Sequence, residues 1–201
     1  MAHKSISARK KNFIACCRDS AGKELSWGAS GNFSMRIAPN QFMVTASGSH
    51  FSCMRTEHIT RCAVDQEKII SGKRPSVEHN MHRAIYAARP DIRYIVHAHP
   101  VFSVLMISAE NAKIDYTIIP EAEHYLGSIR NVPYIKAGTK KLAHAVGCQA
   151  KDASIIILKN HGIVALGEDF YGALCAVEAF EFIAKLNYYA RIAKLKIPHL
   201  V

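Results

Sequence analysis

The chain has 201 residues, of which 49% are hydrophobic and 21% are charged, as in soluble globular proteins with one substantial core. No apolar stretch approaches the roughly 20 residues that span a bilayer, and the basic N-terminus lacks the apolar segment of a secretory signal, so we expect a cytoplasmic protein without a membrane partner. A net charge of +10 attracts anionic ligands, but the 26 lysines and arginines are scattered and not interleaved with aromatics, which disfavours nucleic acid as a partner.

In the N-terminal half, hydrophobic spacing predicts a helix over residues 5–20. Two strands follow and resemble a hairpin around loops of small residues, and the second strand is QFMVT (41–45). Pro75 marks a turn, and Ser76 is the expected N-cap of a helix over residues 78–88.

The C-terminal half alternates predicted strands and helices. In chain order we expect a buried strand (92–99), a helix opening with Pro100 (100–109), a strand (113–119), a loop (120–131), a helix (138–149), two strands (within 154–167) and a long helix (170–194). Asn160 and Gly162 should supply the unusual backbone angles of the turn between those two strands. We find no internal repeat or linker, so the pattern indicates a single α/β domain over residues 1–201.

Three histidines are the first candidates for a functional site. His97 and His99 are two apart on a predicted strand and therefore point to the same face. Taken alone, the pair is more simply two hydrogen-bonded side chains at a strand end. His161, in the turn between two apolar strands, adds a third imidazole, and three histidines fit a catalytic metal site with one or two open positions. His79 and His82, one turn apart on a helix, are expected to pack or to face solvent.

Glu78 stands at the start of the same predicted helix. An acid in the first turn of a helix is favoured by the helix dipole, which is a purely structural explanation. The functional alternative is a carboxylate beside a metal, where it either ligates the ion or moves a proton of the substrate.

The ordered set of motifs is more specific than any one of them. The motifs are SGNFSMR (30–36), TASG (45–48), KRPSVEHNMH (73–82), VHAHP (96–100) and LKNHGIVALG (158–167). Together they resemble the class II aldolase/adducin family, over nearly the whole chain. The resemblance implies a three-layer α/β/α fold with a mostly antiparallel central sheet, and a homotetramer with active sites between subunits.

The resemblance also implies roles for the candidate metal ligands. His97, His99 and His161 match the family's zinc ligands, and Glu78 matches the residue that ligates zinc at rest and acts as the catalytic acid/base. Epimerising members carry aspartate at that position, so Glu78 favours aldolase chemistry. Three histidines and a carboxylate also suit manganese, cobalt or iron.

A phosphate-binding cradle is implied by the same matches. Asn32, Ser47, Gly48 and Ser76 occupy the family's phosphate positions, where hydroxyls and backbone N–H groups reach a dianion closely. Val77 replaces the second serine of a pair, which removes one phosphate donor. The tyrosine that protonates the leaving group from a neighbouring subunit aligns best with Tyr116, with Glu123 as the alternative.

These matches lead to one expected activity and several rivals. We expect a metal-dependent lyase that cleaves a phosphorylated ketose into dihydroxyacetone phosphate and an aldehyde, through an enediolate whose charge the cation stabilises. A decarboxylase of a 3-oxo acid is the main alternative, followed by a 4-epimerase or a dehydratase. A non-enzymatic, adducin-like module is disfavoured because all three histidines and the acid are present.

Overall fold

The computed structural model describes residues 5–110 and 112–197. Its strands are β1 (Asn32–Ala38), β2 (Gln41–Thr45), β3 (Ile59–Ala63), β4 (Ile69–Ser71), β5 (Tyr94–Ala98), β6 (Ile129–Val132), β7 (Ile155–Leu158) and β8 (Gly162–Gly167). Its α-helices are α1 (Ile6–Ser20), α2 (His79–Ala88), α3 (Val101–Ser108), α4 (Glu121–Leu126), α5 (Lys140–Gln149) and α6 (Phe170–Ile192).

The eight strands form one mixed sheet in the order β4-β3-β2-β1-β5-β8-β7-β6. Every neighbouring pair is antiparallel except β6 and β7, which run parallel. The α/β class and the mostly antiparallel central sheet expected from the sequence are therefore confirmed.

Alternation along the central strands divides the core into two layers, because successive side chains of a strand point to opposite faces. On β8, Ile163 and Ala165 face a core built with α1, α3, α4 and α6, whereas Val164 and Leu166 face a core built with α2 and α5. A sheet covered on both faces explains why its inner strands read as unbroken apolar runs. None of the described helices has the length and apolarity to cross a membrane.

The strand predicted over residues 113–119 is wrong, since this segment is irregular in the structure. The side chain of Asn187 on α6 accepts a hydrogen bond from Asp115 N (2.8 Å) and donates one to Asp115 O (3.0 Å), so these backbone groups bond to a helix and not to a neighbouring strand. Ile114, Tyr116 and Ile118 pack against the core from this loop. The alternation of apolar and polar residues in this segment therefore reflects packing onto helices. It has the same period of two residues as a half-buried strand.

Two further predictions need correction. The predicted loop over residues 120–131 contains α4 and the start of β6, which were missed because both elements are short. Helix α2 has Glu78 and not Ser76 as its N-cap residue, although Ser76 Oγ accepts a hydrogen bond from Glu78 N at 3.3 Å. This two-residue shift of the N-cap places the Glu78 carboxylate at the helix entrance, beside the start of β1 and the end of β5.

Candidate metal centre

Strand β5 lies in the middle of the sheet and brings His97 between its two neighbours. His97 pairs with Asn32 of β1 on one side and with Val164 of β8 on the other, and its side chain is fully buried. Its Nδ1 lies 3.0 Å from the carbonyl oxygen of Ile163, and only a protonated Nδ1 can donate there. The tautomer is therefore set so that Nε2 can serve as a ligand atom.

His99 follows β5 and turns its ring toward His97. Its backbone N donates to Leu25 O at 3.0 Å, and its Nε2 lies 3.0 Å from His97 Nε2. The space for this ring comes from Gly162, where a Cβ would stand 2.4 Å from His99 Cδ2 and 2.5 Å from Ala98 O. Gly162 does not have a positive φ. The predicted unusual backbone angle at Gly162 is therefore wrong, and the close approach of His99 and Ala98 explains the glycine.

His161 completes the group from the turn between β7 and β8. Asn160 has φ +57°, the left-handed conformation that asparagine tolerates, and His161 N donates to Leu158 O at 3.1 Å. One ligand atom from each of His97, His99 and His161 lies within 4.8 Å of the other two. Imidazoles from two distant parts of the chain thus converge on one point.

The Glu78 carboxylate faces this point from α2. Its Oε2 lies 3.1 Å from His97 Nε2 and accepts a hydrogen bond from Asn32 Nδ2 at 2.9 Å. Its Oε1 lies 3.5 Å from His161 Nε2 and makes no hydrogen bond, although it is buried. A buried carboxylate oxygen without a hydrogen bond is costly unless another ligand satisfies it.

The electrostatics of the group follow from this packing. Burial by itself would raise the pKa of the Glu78 carboxyl. The charge and hydrogen bond of protonated His97, whose Nε2 proton a bound cation would displace, outweigh burial, and His161 and Asn32 act in the same direction, so the pKa lies well below its ordinary value. Burial lowers the pKa of His99 to about 3 and that of His161 to about 4, and the proximity of His97 adds to both effects. Both rings are therefore neutral at pH 7, with lone pairs available.

These residues fit a divalent cation. Three imidazole nitrogens and a carboxylate are a donor set that zinc binds, and the geometry leaves an oxygen of Glu78 that needs a partner. His97, His99 and His161 would hold the ion, with Glu78 as a fourth ligand or as a base beside it.

The residues predicted to bind phosphate come from three segments that meet beside Glu78. Ser47 N donates to Arg74 O and Ser76 N donates to Thr45 O, both at 3.0 Å, so the TASG loop is held against the segment before α2. Gly48 has φ +76°, which explains a glycine there. Asn32 joins the group from β1, where its amide contacts Glu78.

Val77 and Tyr116 have different surroundings. Val77 is half-exposed, and its backbone oxygen and side chain lie 3.3–3.6 Å from the position that a Cβ on Gly138 would occupy. Tyr116 contacts Phe180 on α6, with ring centroids 5.9 Å apart, and burial raises its pKa to about 12. Tyr116 and Glu123 line the same cavity of about 520 Å³. The structure therefore groups the two candidate proton donors with each other.

His82 is a site residue whose role sequence reasoning missed. It was expected to pack or to face solvent, and it is fully buried. Its Nε2 bonds Asn32 Oδ1 at 2.5 Å, which connects it to the amide that holds Glu78. The available signal was spacing: His82 is four residues after Glu78, the separation at which residues share one face of a helix.

The close approach at Gly162 gives a testable prediction. In Gly162→Ala, the new methyl group will displace the His99 ring and weaken binding of Zn²⁺ at least about tenfold, the scale expected when a ligand loses its support. Competition against a chromophoric chelator measures this affinity. Gly22→Ala is the matched control, because a Cβ there meets nothing within 4 Å. Equal affinities for both variants would contradict the role assigned to Gly162.

A layered α/β fold with a three-histidine, one-carboxylate centre at the sheet's middle defines the class of protein, and comparison with known proteins agrees. The profile of the family described as "Class II Aldolase and Adducin N-terminal domain" matches residues 11–188. The chain belongs to this class II aldolase/adducin family.

Individual relatives extend this result. The chain is 36% identical over 178 residues to L-fuculose phosphate aldolase of Methanocaldococcus jannaschii, covering 89% of this chain and 94% of the relative. It is 28% identical over 193 residues to 3-oxo-tetronate 4-phosphate decarboxylase of Haemophilus influenzae, covering 94% and 91%. A solved L-fuculose 1-phosphate aldolase superposes with a TM-score of 0.82 at 26% identity, covering 100% of this chain and 94% of that structure.

Proposed function

We propose that the protein is a metal-dependent lyase that cleaves a ketose 1-phosphate, of the L-fuculose 1-phosphate type, into dihydroxyacetone phosphate and an aldehyde. The observation that carries the proposal is the buried Glu78 carboxylate, with one oxygen on Asn32 and the other free of hydrogen bonds beside three converging histidines. The relatives named L-fuculose phosphate aldolase support the same chemistry.

A bound divalent cation, zinc in the first instance, would supply Lewis-acid stabilisation of the negative charge that develops on the substrate oxygens during cleavage. The residues of the chain then have two tasks. A proton must leave the hydroxyl beyond the breaking carbon–carbon bond, and a proton must later reach the enediolate carbon. Glu78 is placed for the second task because its carboxylate borders the centre. Since it is ionised at rest, it must first take up a proton, either from the substrate hydroxyl or from water, before it delivers that proton to the enediolate carbon.

Binding of the substrate phosphate would fall to the three segments beside Glu78. The hydroxyls of Ser47 and Ser76 and the backbone of Gly48 would contact the phosphate oxygens. The second N–H of the Asn32 amide also remains available after the first is donated to Glu78. Val77 offers no hydroxyl where the family pattern has a serine, which keeps a decarboxylase of a 3-oxo sugar acid phosphate as the second candidate, in line with the Haemophilus relative.

The direct experiment incubates zinc-loaded protein separately with L-fuculose 1-phosphate, other ketose 1-phosphates and 3-oxo acid 4-phosphates. We expect dihydroxyacetone phosphate as a product from L-fuculose 1-phosphate or another ketose 1-phosphate. A chelator should abolish turnover, and added Zn²⁺ should restore it. Release of CO₂ from the 3-oxo acids, without dihydroxyacetone phosphate from any ketose, would replace the aldolase by the decarboxylase.

We also propose a homo-oligomer, a tetramer by family resemblance, in which Tyr116 serves a neighbouring active site. The support is a set of exposed apolar side chains on α3 and α6, two helices that pack against each other, with α3 beginning two residues after His99. Its exposed members are Val101, Leu105, Phe182 and Tyr189. Large apolar side chains grouped on a surface are typical of protein interfaces.

This assembly predicts the behaviour of a charged variant. Phe182→Glu should reduce the molar mass measured by light scattering and lower activity, because a buried charge opposes association. Phe182 is 52% exposed in the single chain, so the protomer should still fold. Tyr171→Glu, at the other end of α6 and 61% exposed, is the matched control. A monomeric wild-type protein with full activity would contradict the proposal.

A further inference from the structure

A line of buried hydrogen bonds runs from Glu78 into the core between α2 and the sheet. Glu78 Oε2 contacts Asn32 Nδ2 (2.9 Å), Asn32 Oδ1 contacts His82 Nε2 (2.5 Å), and His82 Nδ1 contacts Ser34 Oγ (2.6 Å). Beyond them, the Tyr86 hydroxyl lies 2.8 Å from Ser34 Oγ. We call Asn32, His82 and Ser34 the support line of Glu78.

The hydrogen bond between Asn32 and Glu78 fixes the direction of every bond in the support line. Asn32 Nδ2 donates to Glu78 Oε2, so the Asn32 oxygen is the atom that faces His82 Nε2. That oxygen only accepts, so Nε2 of His82 carries the ring proton. Burial lowers the pKa of His82 to about 3, so the ring is neutral and its Nδ1 must accept from Ser34.

Since the single hydroxyl proton of Ser34 is used on His82, the Tyr86 hydroxyl donates to Ser34 Oγ at 2.8 Å. The other acceptor near that hydroxyl, Arg93 O, is farther away at 3.3 Å and already accepts from Arg36 N at 2.8 Å. All the donors therefore point toward the Glu78 carboxylate. With these donor and acceptor assignments, every hydrogen bond of the line can form at the same time, as a fully connected buried network requires.

Local geometry produces this line from two regular elements. Asn32 and Ser34 are two apart on β1 and share one face of the sheet, whereas His82 and Tyr86 are four apart on α2 and share one face of the helix. Packing alone does not require polar groups here, because apolar side chains of similar volume usually fill such an interface at equal or lower cost.

We propose that His82 is a positioning residue: by holding the Asn32 amide in one orientation, it fixes the rotamer of Glu78 at the metal centre. The proposal rests on the proposed function for its catalytic consequence, but not for its effect on a bound cation. Loss of His82 frees the Asn32 amide to rotate. The Glu78 carboxylate then either loses the hydrogen bond from Asn32 Nδ2 or faces the Asn32 amide oxygen, which repels it.

The test uses the full-length protein loaded with Co²⁺, whose visible absorption reports the ligands and their geometry without any substrate. Glu78→Gln sets the spectrum of a centre with an altered fourth ligand. We expect His82→Leu to shift the spectrum in the same direction and to weaken Co²⁺ binding by about 10- to 100-fold, as loss of an outer-sphere partner does. His82→Gln, which offers both a donor and an acceptor, should restore most of both properties.

Tyr86→Phe is the matched control for stability. It removes a buried hydroxyl from the same interface and should lower the melting temperature, but it leaves the support line intact and should keep the wild-type Co²⁺ spectrum and affinity. With substrate, His82→Leu should lower kcat and also raise KM, because the Asn32 amide that it releases is assigned both to Glu78 and to the substrate phosphate.

An unchanged Co²⁺ spectrum and affinity in His82→Leu would overturn the proposal, and so would equal spectral shifts in His82→Leu and Tyr86→Phe. If His82→Leu does not fold, Ser34→Ala takes its place, since it removes the bond that fixes the His82 tautomer, and an unchanged spectrum there is equally decisive against the proposal. If the Co²⁺ results agree but no ketose phosphate is cleaved, the proposed activity fails and the positioning role stands.

Discussion

Replacement of His161 by alanine will remove the metal ion and the activity while leaving the protein folded. His161 contributes one of three imidazole ligand atoms that lie within 4.8 Å of one another. It stands in a turn at the surface end of the sheet, with 15% of its side chain exposed, so its loss creates no deep cavity. The affinity for Zn²⁺ should fall by more than the roughly 10- to 100-fold that loss of an outer-sphere partner costs.

Two measurements check this result without an assay of activity. Metal content after gel filtration gives the bound fraction, and thermal unfolding gives the linkage between binding and stability. For wild type, Zn²⁺ at 100 times its dissociation constant should add about 2.7 kcal/mol to the unfolding free energy, whereas His161→Ala at the same concentration should gain almost nothing. His144→Ala, which removes an exposed histidine on α5, should match wild type. Full zinc occupancy in His161→Ala would refute the three-histidine centre.

The regular elements could be predicted from the sequence because local signals agreed with the tertiary packing. The strand QFMVT and the strands on either side of Asn160 combine apolar runs with turn residues at their ends, and the structure has them as β2, β7 and β8. The segment 113–119 failed because packing of Ile114, Tyr116 and Ile118 onto helices imitates the period of a strand. The contact of Asn187 with Asp115 decides between the two, and that contact joins residues 72 apart in the chain.

The candidate site also has one part that local sequence predicts and another that depends on the tertiary fold. The pair His97 and His99 follows from strand geometry, but their convergence with His161 depends on the order of strands β5 and β8 in the sheet, which no local pattern contains. His82 was missed for a related reason. Its partners Asn32 and Ser34 lie on β1, 50 and 48 residues away, and the helical spacing from Glu78 does not by itself indicate that His82 is buried against them.

Replacement of Glu78 by glutamine should have the largest effect on chemistry with the smallest effect on structure. Glutamine has nearly the same shape, and its amide oxygen can still accept the hydrogen bond from Asn32. It cannot take up and return a proton near neutral pH, and general acid–base catalysis contributes typically 10²- to 10⁴-fold. We therefore expect kcat to fall by roughly that factor, with a KM close to wild type and a cation still held by the three histidines.

The controls for this variant are two other acids. Glu67→Gln removes an exposed carboxylate that pairs with Lys140 on the surface, and it should leave kcat unchanged. Glu123→Gln addresses the alternative proton donor, which lines the cavity beside Tyr116. A loss in Glu123→Gln equal to that in Glu78→Gln, with Glu78→Gln still loaded with metal, would divide the proton transfers between two residues and limit Glu78 to one of them.

A partial reaction isolates the step assigned to Glu78. If this carboxylate delivers the proton to the enediolate carbon, the reverse step makes it remove that proton from dihydroxyacetone phosphate. Wild-type protein in D₂O should therefore incorporate deuterium into dihydroxyacetone phosphate without any aldehyde, as followed by proton NMR, and Glu78→Gln should not. Because this exchange needs neither the second substrate nor the leaving-group donor, it separates Glu78 from Tyr116. Undiminished exchange in Glu78→Gln would assign the carbon proton to another group and leave Glu78 as a ligand alone.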